Sequence, residues 1–553
     1  MNKWIQLGSN INGEDRSNRF GHSVSISPNT NFISVGAPGN DEYGLDSGSV
    51  RLYKWDGNDW LQFGTDIDGR EGDNLGKTVS SSWFIDGIYG GGRIVIGVPN
   101  AKNSFNEKGA IQIYSIDENN FEKLGENIGK GLYGTYESVE ISAYQDTIAA
   151  AHLGTENLGE VNIFRRNYET DNVWEEIGTI TGPEPGDGGW TTFGYSVSLS
   201  WKGNIIAISE YNENYSTSGE NDFRPTTGSV RIYNYEDEVW SQLGDTIYGE
   251  GEYDYSGSSI SLSKDGSVIA IGASANDANG EDRGHVRIYK YEDNSWVQIG
   301  DDIDGESDYD RSGFSVALSK RGDVVAIGAP YNDDNGNGSG HVRVYRLINN
   351  EWNQLGDDID GDSSGDYSGY SVDMSLDGTT VVIGSPENNT KGYQTGQVRV
   401  FKYIDTLNPS ITGLGDFNNK FEVKEKNKFV HTFTADEPVT WRITENSILG
   451  NKYFKIDSDT GELNFKNTPY YYENADSDWD LSIQAEDLSG NKSSIYSFNV
   501  QIIEVDDINP SILGPSGNDG DSTSSASIEE NTTAVHSFTA DETVTWSLGE
   551  SAD

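Results

Sequence analysis

Loops rich in carboxylates contain the residues of this sequence best suited to chemistry. One set follows a recurring Trp-x-Gln-Leu-Gly phrase, and the other follows a recurring Gly-Ala-Pro phrase. The first set comprises residues 301–306 and 357–362, and the second comprises 40–41, 276–277 and 332–334. So many oxygen donors suit a hard cation such as Ca²⁺, which takes six to eight of them. Asp and Asn also cap turns and keep a protein soluble, so both interpretations stay open.

Repeated arginines offer a second kind of chemistry. They share one position in a recurring Val-Arg phrase: Arg51, Arg231, Arg287, Arg343 and Arg399. Because side chains alternate along a strand, each arginine shares a side with the aromatic residue two positions later. A ring of arginines could bind a carboxylated ligand. We expect instead that they pair with acids of the neighbouring repeat or stack on aromatic rings, since the position recurs with the repeat.

The six histidines predict no catalytic site. His285 and His341 follow Gly at one repeat position, and His431 and His536 form another repeated pair, so we interpret all four as structural. The sequence has no nucleophile elbow, no phosphate-binding Gly loop and no His-rich metal motif. We therefore expect a non-enzyme. A glycosidase carboxylate pair stays open because carboxylates are abundant.

These residues belong to a repeated scaffold over residues 1–403. The Trp phrase begins seven times, at intervals of 53 to 66 residues, namely at Trp4, Trp60, Phe121, Trp174, Trp240, Trp296 and Trp352. Short β-branched and aromatic runs follow each copy, bounded by Gly, Asn and Asp, which predicts four strands per repeat. Four strands at a period of about 55 residues are typical of a propeller blade.

The sequence therefore predicts an all-β fold that starts with a seven-bladed β-propeller over 1–403. The chain opens directly on a Trp phrase, and the seventh repeat ends at Phe401 without one. We expect the N-terminal strand to complete the last blade, because this would remove an unpaired sheet edge.

The repeats resemble the FG-GAP repeats of integrin alpha-subunit propellers. Phe20-Gly21, Gly36-Ala37-Pro38 and Gly328-Ala329-Pro330 carry the resemblance. It implies a propeller with both acidic loop sets on one face. The calcium loops of integrins are not carried over, because the matching turns, such as Lys264-Asp265-Gly266, are tight hairpin turns.

The pattern changes at residue 404. We interpret 404–411 as a linker, and a similar segment returns at 505–512. We predict an immunoglobulin-like β-sandwich over 412–505. The run 431–441 recurs as 536–546, so we expect 506–553 to hold a linker and the start of a second, truncated copy.

The domain at 412–505 resembles a cadherin repeat. Ile456-Asp457, Thr460-Gly461 and the linker residues 504–510 match motifs of that family. The resemblance implies a β-sandwich with Ca²⁺ at the junction to the next copy. It places the ligands at Glu425, Glu473, Glu504, Asp507 and Asp541. Tyr471 stands where an Asp is usual, which implies fewer ions or weaker binding.

Charge and composition limit the partners. The net charge of −52, from 38 basic and 90 acidic residues, argues against binding nucleic acid or an anionic membrane. The absence of Cys excludes a disulfide scaffold. We also expect no membrane span in this chain, because no apolar run approaches about 18 residues. The first residues lack the apolar region of an ordinary secretory signal.

The leading hypothesis is a non-enzymatic adhesion or recognition protein that is extracellular or at the cell surface. The propeller would bind a cell-surface protein or glycan, carried on a calcium-stiffened cadherin-like stalk. One alternative is a virion or surface-layer component with a structural or receptor-binding role. Another is a carbohydrate-active propeller enzyme. Self-association also stays open.

Overall fold

The computed structural model describes residues 3–84, 91–102, 108–117, 121–125, 127–128, 138–142, 144, 146–153, 159–167, 173–183, 192–210, 227–405, 408–412, 420–424, 426–435, 439–444, 450–458, 460–469, 478–487, 491–503, 512–513 and 539–540. Over these residues the protein is all-β apart from one helical turn. Within this part of the chain no helix has the length and apolar character needed to cross a bilayer. The chain divides into two compact units, Met1–Asn408 with Asp487–Asn491, and Pro409–Glu486 with Lys492–Asp553.

The first unit contains seven sheets with four main antiparallel strands each, counted over the described residues. The chain begins with β1 (Lys3–Gln6) and β2 (Ile11–Asn12). Sheet I has β3 (Ser23–Ile26), β4 (Phe32–Ala37), β5 (Ser49–Trp55) and β6 (Trp60–Gln62), with the short β7 (Ile67–Asp68) beside β5. Sheet II has β8 (Val79–Phe84), β9 (Gly91–Lys102), β10 (Lys108–Ile116) and β11 (Phe121–Lys123). Sheet III has β12 (Ser138–Ile141), β13 (Thr147–Leu153), β14 (Gly159–Asn167) and β15 (Val173–Thr181).

The remaining sheets repeat this plan. Sheet IV has β16 (Val197–Leu199), β17 (Ile205–Glu210), β18 (Ser229–Glu236) and β19 (Val239–Gln242), with β20 (Ile247–Tyr248) beside β18. Sheet V has β21 (Ser256–Leu262), β22 (Val268–Ala273), β23 (His285–Glu292) and β24 (Ser295–Gln298), with β25 (Ile303–Asp304) beside β23. Sheet VI has β26 (Ser315–Leu318), β27 (Val324–Ala329), β28 (His341–Ile348) and β29 (Glu351–Gln354), with β30 (Ile359–Asp360) beside β28. Sheet VII has β31 (Ser371–Met374), β32 (Thr380–Ser385), β33 (Gln397–Ile404) and β1.

The N-terminal strand completes the last sheet. β1 pairs antiparallel with β33, from Lys3 opposite Ile404 to Gln6 opposite Phe401. β2 pairs with the start of the same strand. This pairing confirms the expectation drawn from the position of the first Trp phrase.

The first strand of each sheet contacts the first strand of the next sheet, and the order returns from β31 to β3. Each of these strands has one edge without a backbone partner, so its N–H groups need other acceptors. Asp373 Oδ2 accepts from Ile26 N at 2.8 Å, and Glu140 Oε2 accepts from Leu199 N at 2.8 Å. Between other neighbouring sheets, serine hydroxyls accept the corresponding backbone N–H bonds. These serines are Ser25, Ser80, Ser198 and Ser261.

The Trp phrase links the outer strands of neighbouring sheets. Four of the indole N–H groups each donate to a backbone carbonyl of the preceding Trp phrase. The pairs are Trp60 to Leu7 O (3.0 Å), Trp296 to Leu243 O (2.8 Å), Trp352 to Ile299 O (2.9 Å) and Trp4 to Leu355 O (2.6 Å). A tryptophan thus recurs because it buries apolar area and also satisfies a carbonyl.

The second unit packs its sheets around one aromatic core. Its elements are β34 (Ile411–Thr412), β35 (Lys420–Lys424), β36 (Phe429–Thr432), β37 (Thr434–Ala435), β38 (Val439–Ile443), α1 (Gly450–Tyr453), β39 (Phe454–Ile456), β40 (Glu462–Phe465), β41 (Asp478–Asp487), β42 (Tyr496–Ile503), β43 (Ile512–Leu513) and β44 (Thr539–Ala540). One sheet has the order β35-β42-β41-β38, and another has β36-β40-β39. Both contribute to a core that includes Phe421, Phe433, Phe454 and Phe498. The cadherin-like assignment stays a prediction.

Candidate metal centre and aromatic surface

The predicted calcium ligands of the tail are not part of the described structure. Glu425, Glu473, Glu504, Asp507 and Asp541 all lie outside the described residues. The calcium site at the junction therefore stays a prediction.

The acidic loops of the first unit converge around a histidine. Glu306, Asp334, His341 and Asp358 each offer one ligand atom, and these four atoms lie within 4.8 Å of one another. We call these four residues the His341 cluster. Such a group of carboxylates and imidazole could hold a metal ion.

Three loops and one strand position this cluster. His341 is the first residue of β28, and it lies opposite Asp360 of β30, so Asp358 comes close just before that short strand. Asp334 lies in the loop between β27 and β28. Glu306 follows β25 in the connection from sheet V to sheet VI. The cluster thus joins residues that are up to 52 positions apart in sequence.

The loop that carries Asp334 is held by its own polar side chains. Buried Asn332 accepts a hydrogen bond at Oδ1 from the N–H of Asp334 at 3.0 Å. Asp333 Oδ1 accepts one from the N–H of Gly338 at 2.7 Å. The turn-capping interpretation is therefore confirmed for Asn332 and Asp333, whereas Asp334 belongs to the cluster.

His341 is buried without a hydrogen-bond partner. Its side chain is 1% exposed, and neither ring nitrogen has a partner among the described residues. Nδ1 lies 3.6 Å from Asp358 Oδ2 and 3.8 Å from Glu306 Oε2, which is too far for a hydrogen bond. Burial, and next the Arg343 guanidinium, lower the pKa of His341 to about 4. The imidazole is therefore neutral at pH 7, and one nitrogen keeps a lone pair for a ligand.

Three of the repeated arginines, Arg287, Arg343 and Arg399, link neighbouring sheets, whereas Arg231 pairs with Glu210 of its own sheet. Arg343 Nη2 donates to Asp304 O at 2.6 Å, and its Nη1 lies 3.5 Å from Glu306 Oε1. Its guanidinium carbon also lies 5.6 Å from the centre of the Tyr345 ring. Arg287 and Arg399 make the equivalent bonds to Tyr248 O and Asp360 O, at 2.9 and 2.6 Å. These contacts agree with the structural role expected for the arginines.

Two further clusters occupy related positions among the described residues. In sheet V, Glu250, His285 and Asp302 converge, with Ala278 at the position of Asp334. Both ring nitrogens of His285 also lack a hydrogen-bond partner. In sheet I, Glu42, Asp66 and Asp68 converge without a histidine. Burial, and next the Asp66 carboxylate, raise the pKa of Asp68 to about 6.

The repeat position of the two histidines indicates a purely structural role. The signal that points to a ligand role is their co-occurrence with acids. His285 and His341 begin the third strands of sheets V and VI, the two sheets whose Trp phrase is followed by Asp-Asp-Ile-Asp. The repeat pattern alone does not reveal that Glu306 and Asp334 reach the same point.

A second feature is a patch of aromatic side chains that we call the aromatic surface. It comprises His22, Arg311, Phe314, Tyr331, Tyr367 and Tyr370, all of which are partly exposed. The Phe314 and Tyr370 ring centres lie 4.9 Å apart, and the Tyr331 and Tyr367 centres lie 5.0 Å apart. The Arg311 guanidinium carbon lies 4.9 Å from the Tyr331 ring centre. No local sequence pattern marks this surface, because its members come from three different sheets.

Comparisons with known proteins connect the chain to one repeat family. The FG-GAP repeat family matches residues 303–345, which include β25, β26, β27, the first five residues of β28 and three of the four residues of the His341 cluster. The comparison with curated proteins finds no match to this chain.

Among solved structures, a Bacteroides uniformis protein named as a 6-phosphogluconolactonase is 12% identical with a TM-score of 0.38, covering 62% of this chain and 86% of that chain. Kuenenia stuttgartiensis hydrazine synthase is 13% identical with a TM-score of 0.42, covering 71% of this chain and 98% of that chain. Both likenesses are too distant to bear on the chemistry of this protein. The chain therefore contains an FG-GAP repeat within an all-β scaffold of antiparallel sheets.

Proposed function

We propose that the first unit is a seven-bladed β-propeller that serves as the binding head of a non-enzymatic adhesion or recognition protein. The FG-GAP match and the cyclic order of the first strands support the propeller. FG-GAP repeats are typical of extracellular and surface proteins, which supports the same location here. The ligand is a cell-surface protein or glycan.

The aromatic surface is the observation that carries this proposal. Tyr and Arg side chains combine apolar area with hydrogen-bonding groups, and they supply much of the binding energy at recognition interfaces. Tyr331 packs at a tilt against Tyr367 and also contacts the Arg311 guanidinium, so its ring is held in place before a ligand arrives. Rigid rings lose little conformational entropy on binding.

Ca²⁺ enters this proposal through the second unit. A cadherin-like stalk stiffened by calcium would hold the binding head away from a surface. The motifs of residues 456–461 and 504–510 support this part. In the described structure, the Asp457 Oδ1 accepts a hydrogen bond from the Thr460 N–H at 2.8 Å, which forms the tight turn expected between β39 and β40.

A binding comparison tests the role of the aromatic surface. The full chain, labelled with a fluorophore, is applied to an array of glycans and to intact cells before and after protease treatment. We expect Tyr331→Ala to weaken binding at least about ten-fold, as removal of a central aromatic anchor usually does. Tyr43→Ala is the matched control, because Tyr43 is exposed and lies outside the aromatic surface.

The outcomes separate the hypotheses. Loss of cell binding after protease treatment would identify a protein ligand, and binding to the array would identify a glycan. Equal binding by the Tyr331→Ala and Tyr43→Ala variants would refute the proposed surface. Cleavage of a polysaccharide by the full chain would refute the non-enzymatic role and favour the carbohydrate-active alternative.

A further inference from the structure

We propose that the His341 cluster is a structural site for a divalent transition-metal ion of the Zn²⁺ type. This inference is independent of the proposed ligand of the aromatic surface. It also differs from the calcium prediction for the tail, because it concerns other residues and another class of ion.

The donor set selects the class of ion. Glu306, Asp334 and Asp358 supply carboxylate oxygens, and His341 supplies an imidazole nitrogen. Zn²⁺ and related ions accept both donor types, usually from four ligands in structural sites, whereas Ca²⁺ takes oxygen ligands. A four-residue set with one imidazole therefore favours Zn²⁺ over Ca²⁺.

The isolation of His341 is the second line of evidence. A buried polar group without a partner costs about 1–3 kcal/mol, so native structures rarely leave one. The groups nearest to Nδ1 are carboxylate oxygens of Asp358 and Glu306, at 3.6 and 3.8 Å. A cation between these atoms would satisfy the nitrogen and both oxygens at once.

The net charge around the cluster suits a divalent cation. Arg343 is the guanidinium next to it, and it lies 3.5 Å from Glu306 Oε1. The other oxygen, Oε2, faces His341. Three carboxylates against one guanidinium leave a negative balance that a divalent ion would neutralise.

At the equivalent position in sheet VII, the buried side chain does have a hydrogen-bond partner. Gln397 starts β33 as His341 starts β28, and its Nε2 donates to Asn12 Oδ1 at 3.1 Å. Asn10 Nδ2 donates to Asp362 Oδ2 at 3.2 Å where the His341 cluster has Asp358 and Glu306. Amide side chains thus form hydrogen bonds at this position in sheet VII, whereas in sheet VI the ring nitrogens of His341 have no hydrogen-bond partner among the described residues.

The ion would join two sheets. Asp334, His341 and Asp358 belong to sheet VI, whereas Glu306 follows the short strand that pairs within sheet V. A metal ion held by all four would fix the connection between the sheets. Sheet V offers a weaker version of the site, because it has His285 but Ala278 in place of the third acid.

Zinc titration of the full chain tests the inference. The protein is stripped with a chelator and titrated calorimetrically with Zn²⁺ in excess Ca²⁺, in a His285→Gln background that removes the sheet V histidine. We expect one tight site that Ca²⁺ does not displace. His341→Gln, which installs the residue found at the matching position of sheet VII, should lower its affinity at least about 100-fold. Asp360→Asn is the control, because Asp360 is exposed and outside the donor set.

A spectroscopic measurement and a second variant ensure that the inference can be refuted even if one variant does not fold. X-ray absorption at the zinc edge should show imidazole scattering in the background protein and lose it in His341→Gln. Asp334→Ala, which reproduces Ala278 of sheet V, gives the same comparison if His341→Gln does not fold. Zinc affinity unchanged by both substitutions, or displacement of Zn²⁺ by Ca²⁺, would overturn the inference.

Discussion

Sheets VI and VII place different side chains on the same backbone. His341 lies opposite Asp360 in one sheet, and Gln397 lies opposite Asn12 in the other. In both sheets a buried Asn holds the preceding loop, since Asn388 Oδ1 accepts from the Thr390 N–H as Asn332 Oδ1 accepts from the Asp334 N–H. The comparison teaches that the repeat provides the geometry, and that a few substitutions decide whether it carries a ligand set.

Transfer of the donor set is the strongest way to test this comparison. Sheet VII already has Asp362 at the position of Glu306. We expect Asn10→Asp, Thr390→Asp and Gln397→His together to add one Zn²⁺ per chain, because they rebuild the four donors on the same backbone. Native mass spectrometry of the zinc-loaded protein measures the stoichiometry.

The matched control for this transfer carries only Asn10→Asp and Thr390→Asp. It adds the same negative charge without the imidazole, so it should not gain a tight zinc ion. An unchanged stoichiometry in the triple variant would show that sheets VI and VII differ in more than side chains.

The first strands of the sheets offer a second comparison. In some sheets a serine hydroxyl accepts the hydrogen bond from a backbone N–H of the next sheet, and in others a carboxylate accepts it. Burial raises the pKa of Glu140 to about 7, although the Lys264 ammonium and the Leu199 N–H lower it. Its usual value is 4.5. Between pH 4.5 and about 7 the folded protein therefore binds more protons than the unfolded chain, and the free energy of unfolding falls as the pH rises.

We expect Glu140→Gln to remove this loss while keeping an oxygen acceptor for Leu199 N. From pH 5 to pH 8 the wild type should lose about 2 kcal/mol more stability than the variant, after allowance for the partly exposed side chain. Urea unfolding at both pH values measures the difference. Ser261→Ala, at the matching position of sheet V, is the control and should shift stability equally at both pH values, because Ser261 Oγ accepts from Leu318 N and takes no part in the Glu140 shift. Parallel pH profiles for wild type and Glu140→Gln would contradict the raised pKa.

The tryptophans in the fourth strands of the sheets provide the prediction with the smallest expected effect and the most closely matched pair of variants. Trp296 and Trp240 occupy the same repeat position, and each packs on a tyrosine, with ring centres 5.2 and 5.0 Å apart. Trp296 Nε1 donates to Leu243 O, whereas Trp240 Nε1 is buried without a partner. We expect Trp296→Phe to cost about 1 kcal/mol more than Trp240→Phe, which is the net value of one hydrogen bond. The midpoints of urea unfolding measure it, and equal midpoints would refute the role of the indole bond.

Several features were predictable from the sequence because they depend on neighbouring residues. Strand-forming runs between Gly, Asn and Asp turns mark β27 and β28 without any knowledge of packing. The pairing of β1 with β33 was predictable because the repeat lacks a strand at one end and has one extra at the other. The turn-capping roles of Asn332 and Asp333 are equally local.

The sequence by itself therefore determined an all-β chain of repeated four-stranded units with an FG-GAP character, because hydrophobic alternation and turn residues act over a few positions. Only the tertiary structure decided which acids meet. Glu306 and Asp358 come from different loops, and they reach His341 because the short strands beside β23 and β28 bring those loops to one point. The aromatic surface was decided in the same way, since the packing of sheets VI and VII brings Phe314 to Tyr370. Such convergence depends on sheet packing, which no local pattern records.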